Sequence, residues 1–192
     1  MTEISILQTI KRWLWRKQES SIIDVDDFAC LYDQNYLIVF RYVYGLISGT
    51  RQDVEDITAE TFMRAWSTRH RFSGDEQAAL RWLLRIARNL VIDVSRRKKF
   101  RMVDDSVEVE ALLDASTVPE DDLVTREQIA ILWKMLSSLP ATTREMLVLR
   151  YMLGWQVKQI AAHLDKTENN ISVNIRRALS RLQRDFLQLE GE

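Results

Sequence analysis

Near the C-terminus, Asn169, Asn170, Val173, Arg176, Arg177 and Ser180 recur at spacings that place them on one side of a helix, opposite Ile171, Ile175, Ala178, Leu179 and Leu182. Those residue types can read a nucleic acid. Asparagine pairs bidentately with adenine, arginine with guanine or a phosphate, and valine touches a thymine methyl. Early residues of such a helix reach base edges and later ones meet phosphates. A second set lies in residues 79–99, where Arg81, Arg85, Arg88, Arg96 and Lys99 avoid the stripe of Trp82, Leu83, Ile86, Ala87, Leu90 and Val94, with Asn89 at its edge. His70, Phe72 and Trp82 flank the polar stretch before it, and aromatics beside a basic surface can capture unstacked single-stranded bases. For Trp82, core packing competes with that role, because it begins the apolar stripe. A third set, Asp53, Glu55, Asp56 and Glu60, is acidic. It suits the start of a helix, and beside a basic helix it also suits a basic protein partner.

The elements that would carry these groups are all helical, since alternating β-branched runs and Asn-Gly or Asp-Gly hairpin signals are missing from the sequence. Asp26-Asp27 can cap a helix running from Phe28 to Tyr44, with a turn over 45–50. Asp53 opens a second helix ending near Trp66. Residues 67–78 read as a loop and 79–99 as a third helix. Residues 101–125 are acidic, contain Pro119 and lack a sustained stripe, which marks a linker. Helical spacing resumes at Ile129, Leu132, Trp133, Leu136 and Leu139. A further helix is expected from Thr143 to Leu153, ended by Gly154. A short helix burying Val157, Ile160, Ala161 and Leu164, a turn at Asp165-Lys166, an N-cap at Thr167 and a long basic helix then form a helix-turn-helix. The bland counterpart is a plain helical hairpin with a polar face. The expected organisation is an extension over 1–25, helical domains over 26–100 and 128–192, and an acidic linker over 101–127.

Charge follows those borders. The net charge of -1 conceals 11 Lys and Arg against 3 Asp and Glu in residues 64–101, and 1 against 9 in residues 102–127. Two basic segments able to meet a polyanion therefore flank an acidic strip. A lone cysteine, Cys30, excludes an intrachain disulfide framework. Two histidines argue against a multi-histidine metal site, and no Gly-rich phosphate loop is present. No cofactor is expected. No apolar run approaches the roughly 18 residues of a membrane span. Ile4, Leu7, Ile10, Trp13 and Leu14 fall on helical spacing among Lys11, Arg12, Arg16 and Lys17. Such a segment can lie on an anionic surface or pack as an extra helix, and stable membrane insertion is not expected.

Three segments carry a family resemblance: DVEDITAETFMRAW (53–66), RWLLRIARNLVIDVSRRKK (81–99) and LPATTREMLVLRYMLGWQVKQIAAHLDKTENNISVNIRRALSRL (139–182). They resemble bacterial RNA polymerase sigma factors of the sigma-70 class, in the extracytoplasmic-function (ECF) group that keeps only regions 2 and 4. The resemblance implies an all-α protein that is a polymerase subunit rather than an enzyme, working in the cytoplasm. It implies docking on the clamp of the largest core polymerase subunit through Asp53, Glu55, Asp56, Glu60 and Phe62. It implies binding and opening of the promoter -10 element through Phe72, Arg85, Arg88, Asn89, Arg96, Arg97 and Lys99. Reading of the -35 element falls to Lys158, Thr167, Asn169, Asn170, Ser172, Val173, Arg176 and Arg177, with region 4 also touching the flap of the second large subunit. An anti-sigma factor is an implied partner.

The chain departs from the family pattern at Ala59, where Gln is usual, at Ile171-Ser172-Val173-Asn174, where Val-Lys-Ser-Arg is common, and at Asp165, where the turn usually has Gly. The competing function is a stand-alone helix-turn-helix regulator with an N-terminal dimerisation or effector domain. Residues 53–99 discriminate, because a regulator has no need of an acidic helix followed by a basic one with an aromatic-flanked loop.

Overall fold

The computed structural model describes residues 28–47, 49–100, 131 and 133–190, and every regular element among them is helical. The expected N-terminal amphipathic segment and the whole of the expected acidic linker lie outside the described residues. Helix α1 spans Phe28–Leu46, α2 Arg51–Thr68, followed by a 3-10 turn at Arg69–Arg71, and α3 Glu76–Phe100. A helical segment over 133–137 precedes α4, Ala141–Leu147, which passes into a π turn at Val148–Met152. Helices α5, Val157–Leu164, and α6, Glu168–Glu190, are the last of the described elements.

Helix α1 has two rows of side chains with different periods. Leu31, Asn35, Val39, Tyr42 and Val43 are buried. The buried Asn35 amide donates to the Leu31 carbonyl at 2.9 Å, which satisfies it inside the core. The second row is Phe28, Tyr32, Tyr36, Phe40 and Tyr44, an aromatic at every fourth position. A step of four turns about 40° past one helical repeat, so this row winds around α1. At one end Phe28 meets Trp66 of α2 with centroids 5.1 Å apart, and at the other Tyr44 meets Trp133 edge-on at 4.5 Å. A single helix thereby faces α2 early and the C-terminal half late.

Two helix starts differ from the sequence expectation for one reason. Helix α2 begins at Arg51 because Thr50, not Asp53, is the N-cap. The Asp53 amide donates to Thr50 Oγ1 at 3.2 Å, and the Thr50 amide donates back to Asp53 Oδ2 at 2.9 Å, a capping box. Helix α3 begins at Glu76 because Asp75 accepts from the Ala78 amide at 2.7 Å. The expected loop therefore contracts, as α2 and its 3-10 turn run through Arg71. Helix α4 starts at Ala141, two residues before the expected Thr143, and the stretch to Met152 is π rather than α.

The two halves share one core. Leu31, Val39, Val43, Leu83 and Leu84 of the first half belong to the same buried cluster as Met146, Val148, Leu149, Ile160 and Ile171 of the second. Gly45 permits that approach: a Cβ there would lie 2.6 Å from a Val148 methyl and 2.9 Å from the Met152 sulfur. The Arg144 guanidinium ties the junction. It donates to the Leu46 carbonyl at the end of α1 at 3.0 Å and to Ser137 at 2.7 Å, two carbonyls that helix ends leave without intrahelical donors.

Candidate nucleic-acid and polymerase interface

Two of the four carboxylates on the acidic face of α2 are paired within their own helix. Arg51 donates to Glu55 at 2.8 Å, and Arg64 donates to Glu60 at 2.7 Å. Asp56 is exposed and accepts from the neutral Gln52 amide at 2.8 Å, so its charge stays uncompensated by that bond. A groove of about 240 Å³ runs beside it, lined by Asp56, Glu60 and Arg64 of α2 and by Leu90, Asp93 and Arg97 of α3. Phe62 corrects the sequence reading. Only 4% exposed, it packs among Phe28, Tyr32 and Tyr36 and offers no surface to a partner. Its place in the apolar stripe of Val54, Ile57 and Ala65 accounts for this. The large exposed apolar side chains of that helix are Met63 and Trp66, with the Arg69 guanidinium 3.6 Å over the Trp66 ring.

On α3, Arg85, Asn89, Arg96 and Arg97 are exposed, as the stripe requires, and the Lys99 side chain lies outside the described residues. Before it, Phe72 stacks on Trp82 with centroids 4.9 Å apart and planes 26° apart, both half-buried against the core. Trp82 therefore packs inward, as its place at the start of the apolar stripe requires, and supports the loop aromatic. Gly74 leaves room for this pair, since a Cβ there would sit 2.7 Å from that of Ala78 and 3.2 Å from the Phe72 ring.

Arg88 stands apart from its neighbours. It turns toward the second half and donates to Glu145 Oε2 at 2.9 Å, while the Tyr42 hydroxyl donates to Glu145 Oε1 at 2.5 Å. Glu145 is buried on α4. Burial, and then the Glu145 charge and hydrogen bond, hold the Tyr42 phenol well above its ordinary value. For Arg88, burial pulls the pKa down, but the Glu145 hydrogen bond and charge leave it raised. The ring of His163 lies 4.0 Å from Glu145 Oε1, too far for a hydrogen bond, and Trp155 abuts it edge-on at 5.3 Å. Burial, then Arg85, Arg88 and Arg81, push the His163 pKa down to about 4, so it is neutral near pH 7 and forms no ion pair with Glu145. Sequence reasoning missed this cluster. Its one signal is a glutamate in register with Leu149 and Met152, on an otherwise apolar stripe.

The helix-turn-helix forms as read. Asp165 ends α5 in the left-handed region, with φ 52° and ψ 53°, and the Lys166 amide closes the turn on the Ala161 carbonyl at 3.0 Å. Aspartate tolerates that conformation better than most residues, which lets it stand where glycine is usual. Thr167 caps α6, its Oγ1 accepting from the Asn170 amide at 3.2 Å. Ile171, Ile175 and Ala178 are buried. Lys158, Thr167, Asn169, Asn170, Arg176 and Arg177 are exposed, and Ser172 and Val173 half-buried. The face is continuous, carries two side-chain amides and two guanidinium groups, and suits the major groove.

The Sigma-70 region 2 family matches residues 31–101, and the Sigma-70 region 4 family matches residues 129–182. The ECF RNA polymerase sigma factor BldN of Streptomyces coelicolor is 34% identical over 84% of this chain, which spans 61% of BldN's length. The ECF RNA polymerase sigma factor SigM of Bacillus subtilis is 30% identical over 79% of the chain and 92% of its own length. A solved structure of the sigma factor RpoE in complex with the anti-sigma factor NepR from Bartonella quintana superposes with a TM-score of 0.61. It is 25% identical and covers 83% of this chain and 96% of that one. The chain belongs to the sigma-70 family of RNA polymerase sigma factors. Within that family it is an ECF sigma factor, with regions 2 and 4 in that order.

Proposed function

We propose that this protein joins core RNA polymerase and directs it to a promoter set through two DNA-reading surfaces. In this reading Asp56 and Glu60, with Asp53 and Glu55 beside them, face the clamp, and Met63 and Trp66 supply the apolar contact first assigned to Phe62. Phe72, Arg85, Arg88, Asn89, Arg96, Arg97 and Lys99 serve the -10 element. Lys158, Thr167, Asn169, Asn170, Ser172, Val173, Arg176 and Arg177 serve the -35 element, and region 4 also meets the flap. The domains run over 26–100 and 128–192, an anti-sigma factor is the regulator, and the work is cytoplasmic and non-enzymatic.

The observation that supports this reading best is the exposed face of α6. Asn169, Asn170, Arg176 and Arg177 project from a helix whose other side is fully committed to Ile171, Ile175 and Ala178. The test is reconstitution with core polymerase. Co-elution together with run-off transcription from discrete start sites is the expected result. Tight binding of duplex DNA by a symmetric dimer of the free protein, with no effect on polymerase, would favour the regulator instead.

A further inference from the structure

Arg88 is assigned to DNA by the reading above, yet it is occupied. Its guanidinium is bound by Glu145, a carboxylate 57 positions away in the other half of the chain, and the second oxygen of that carboxylate is held by Tyr42. A carboxylate held this way presents to Arg88 what a phosphate would present: an anionic oxygen at charge-assisted hydrogen-bond distance. The contact is not a rim pair. The Glu145 side chain is 5% exposed, and around it the halves share one core, with the Gly45 backbone against Val148 and Arg144 clamping the end of α1.

That packing is incompatible with the task. Elements named for positions 35 and 10 are centred about 25 base pairs apart, or ~85 Å at about 3.4 Å per pair. A compact chain of this length has a radius of gyration of only about 16 Å. Both surfaces cannot reach their elements while the halves share a core.

We propose that Glu145 is an intramolecular latch: it occupies Arg88 in place of a DNA phosphate and holds the two DNA-reading halves in a closed state that must open before promoter binding. This rests on the DNA-reading role of α3 proposed above.

The test uses the full-length protein and a mixed-sequence DNA duplex as the probe. Glu145→Gln keeps the shape and still accepts from Tyr42, but removes the charge that holds Arg88. Gly45→Ala adds a methyl against Val148 and Met152 without altering any charge, and Ala favours the helix it sits in. Small-angle X-ray scattering should show a larger radius of gyration for both variants. Glu145→Gln should bind the duplex about threefold tighter or more, with a log-log salt slope steeper by about one, the increment of one freed phosphate contact. Adding Arg88→Gln should return the slope to the wild-type value. Unchanged scattering and slope in Glu145→Gln and Gly45→Ala would overturn the latch, and so would a gain that survives loss of Arg88. If no form binds the duplex even at low salt, the DNA-reading assignment fails, and the scattering alone decides whether Glu145 holds the halves together.

Discussion

The Asn174 side-chain amide donates to Asn170 twice, to its side-chain Oδ1 at 3.1 Å and to its backbone carbonyl at 2.8 Å. Asn174 stands where the family commonly has Arg, so a position that often carries a cation here orients the side-chain amide of Asn170, which the proposed function sets against a base. Asn174→Ala should loosen the preference for the base that Asn170 faces, and Asn170→Ala should abolish it, at about 1–3 kcal/mol of lost discrimination. Arg177→Ala should weaken all sites alike and lower the salt slope by about one. Selection from a randomised -35 library, followed by salt titrations, checks both. A changed base preference in Arg177→Ala with none in Asn170→Ala would reverse the assignment.

Asp56 and Glu60 lie one turn apart on the exposed side of α2. Asp56→Arg with Glu60→Arg should abolish co-purification with core polymerase. Within the helix, Glu60→Arg exchanges an attraction to Arg64 for a repulsion. Losing the attraction and gaining the repulsion costs about 0.4–1 kcal/mol together, from about 0.2–0.5 for each i,i+4 term, so thermal unfolding should shift by no more than a few degrees. Normal core binding by the double variant would place the interface elsewhere.

Phe72 is held between Trp82 and the bare Cα of Gly74, so it is positioned without being swallowed by the core. Phe72→Ala should lower permanganate reactivity of the -10 thymines more than closed-complex affinity. Loss of the Trp82 stack should destabilise the fold by about 0.5–1.5 kcal/mol beyond the area lost. Equal loss of opening and binding would make Phe72 a packing residue alone.

His163 supplies a pH dependence whose sign follows from its environment. Its folded pKa, about 4, lies below the 6.5 of an unfolded histidine, with Arg81, Arg85 and Arg88 on the facing helix, Glu145 at 4.0 Å and Trp155 against the ring. The unfolded chain therefore takes up the proton first as pH falls. The stability that goes with a neutral His163 is complete above about 6.5 and is lost progressively toward about 4. Melting temperatures measured across that range should fall for the wild type and fall less for His163→Gln. Parallel curves for the two proteins would show that another group governs acid sensitivity.

Much of this structure was legible because helices write their buried side into every third or fourth position. The α6 face and the Asp165 turn follow directly from Ile171, Ile175 and Ala178 and from the one residue between α5 and α6 that accepts left-handed backbone. Helix starts were less legible, since Thr50 and Asp53 are both good caps and only the reciprocal bond decides which is the N-cap and which is N3. Phe62 was misassigned because a family motif marks a segment without saying which of its residues point outward; its own stripe had the answer. The meeting of Tyr42 with Glu145, 103 positions apart, was not legible at all. Local periodicity says that a face is apolar and never which distant face it meets.

The winding aromatic row of α1 makes the molecule's state optically readable. Phe28 and Trp66 lie wholly within the first half, whereas Tyr44 and Trp133 touch across the junction. Separation of the halves would strip Trp133 of its tyrosine neighbour and leave Trp66 in its setting. Near-ultraviolet circular dichroism and tyrosine-to-tryptophan energy transfer should then change at one end of the row alone. The protein thus carries its own chromophores for timing that separation in a stopped-flow mixer, without any attached dye.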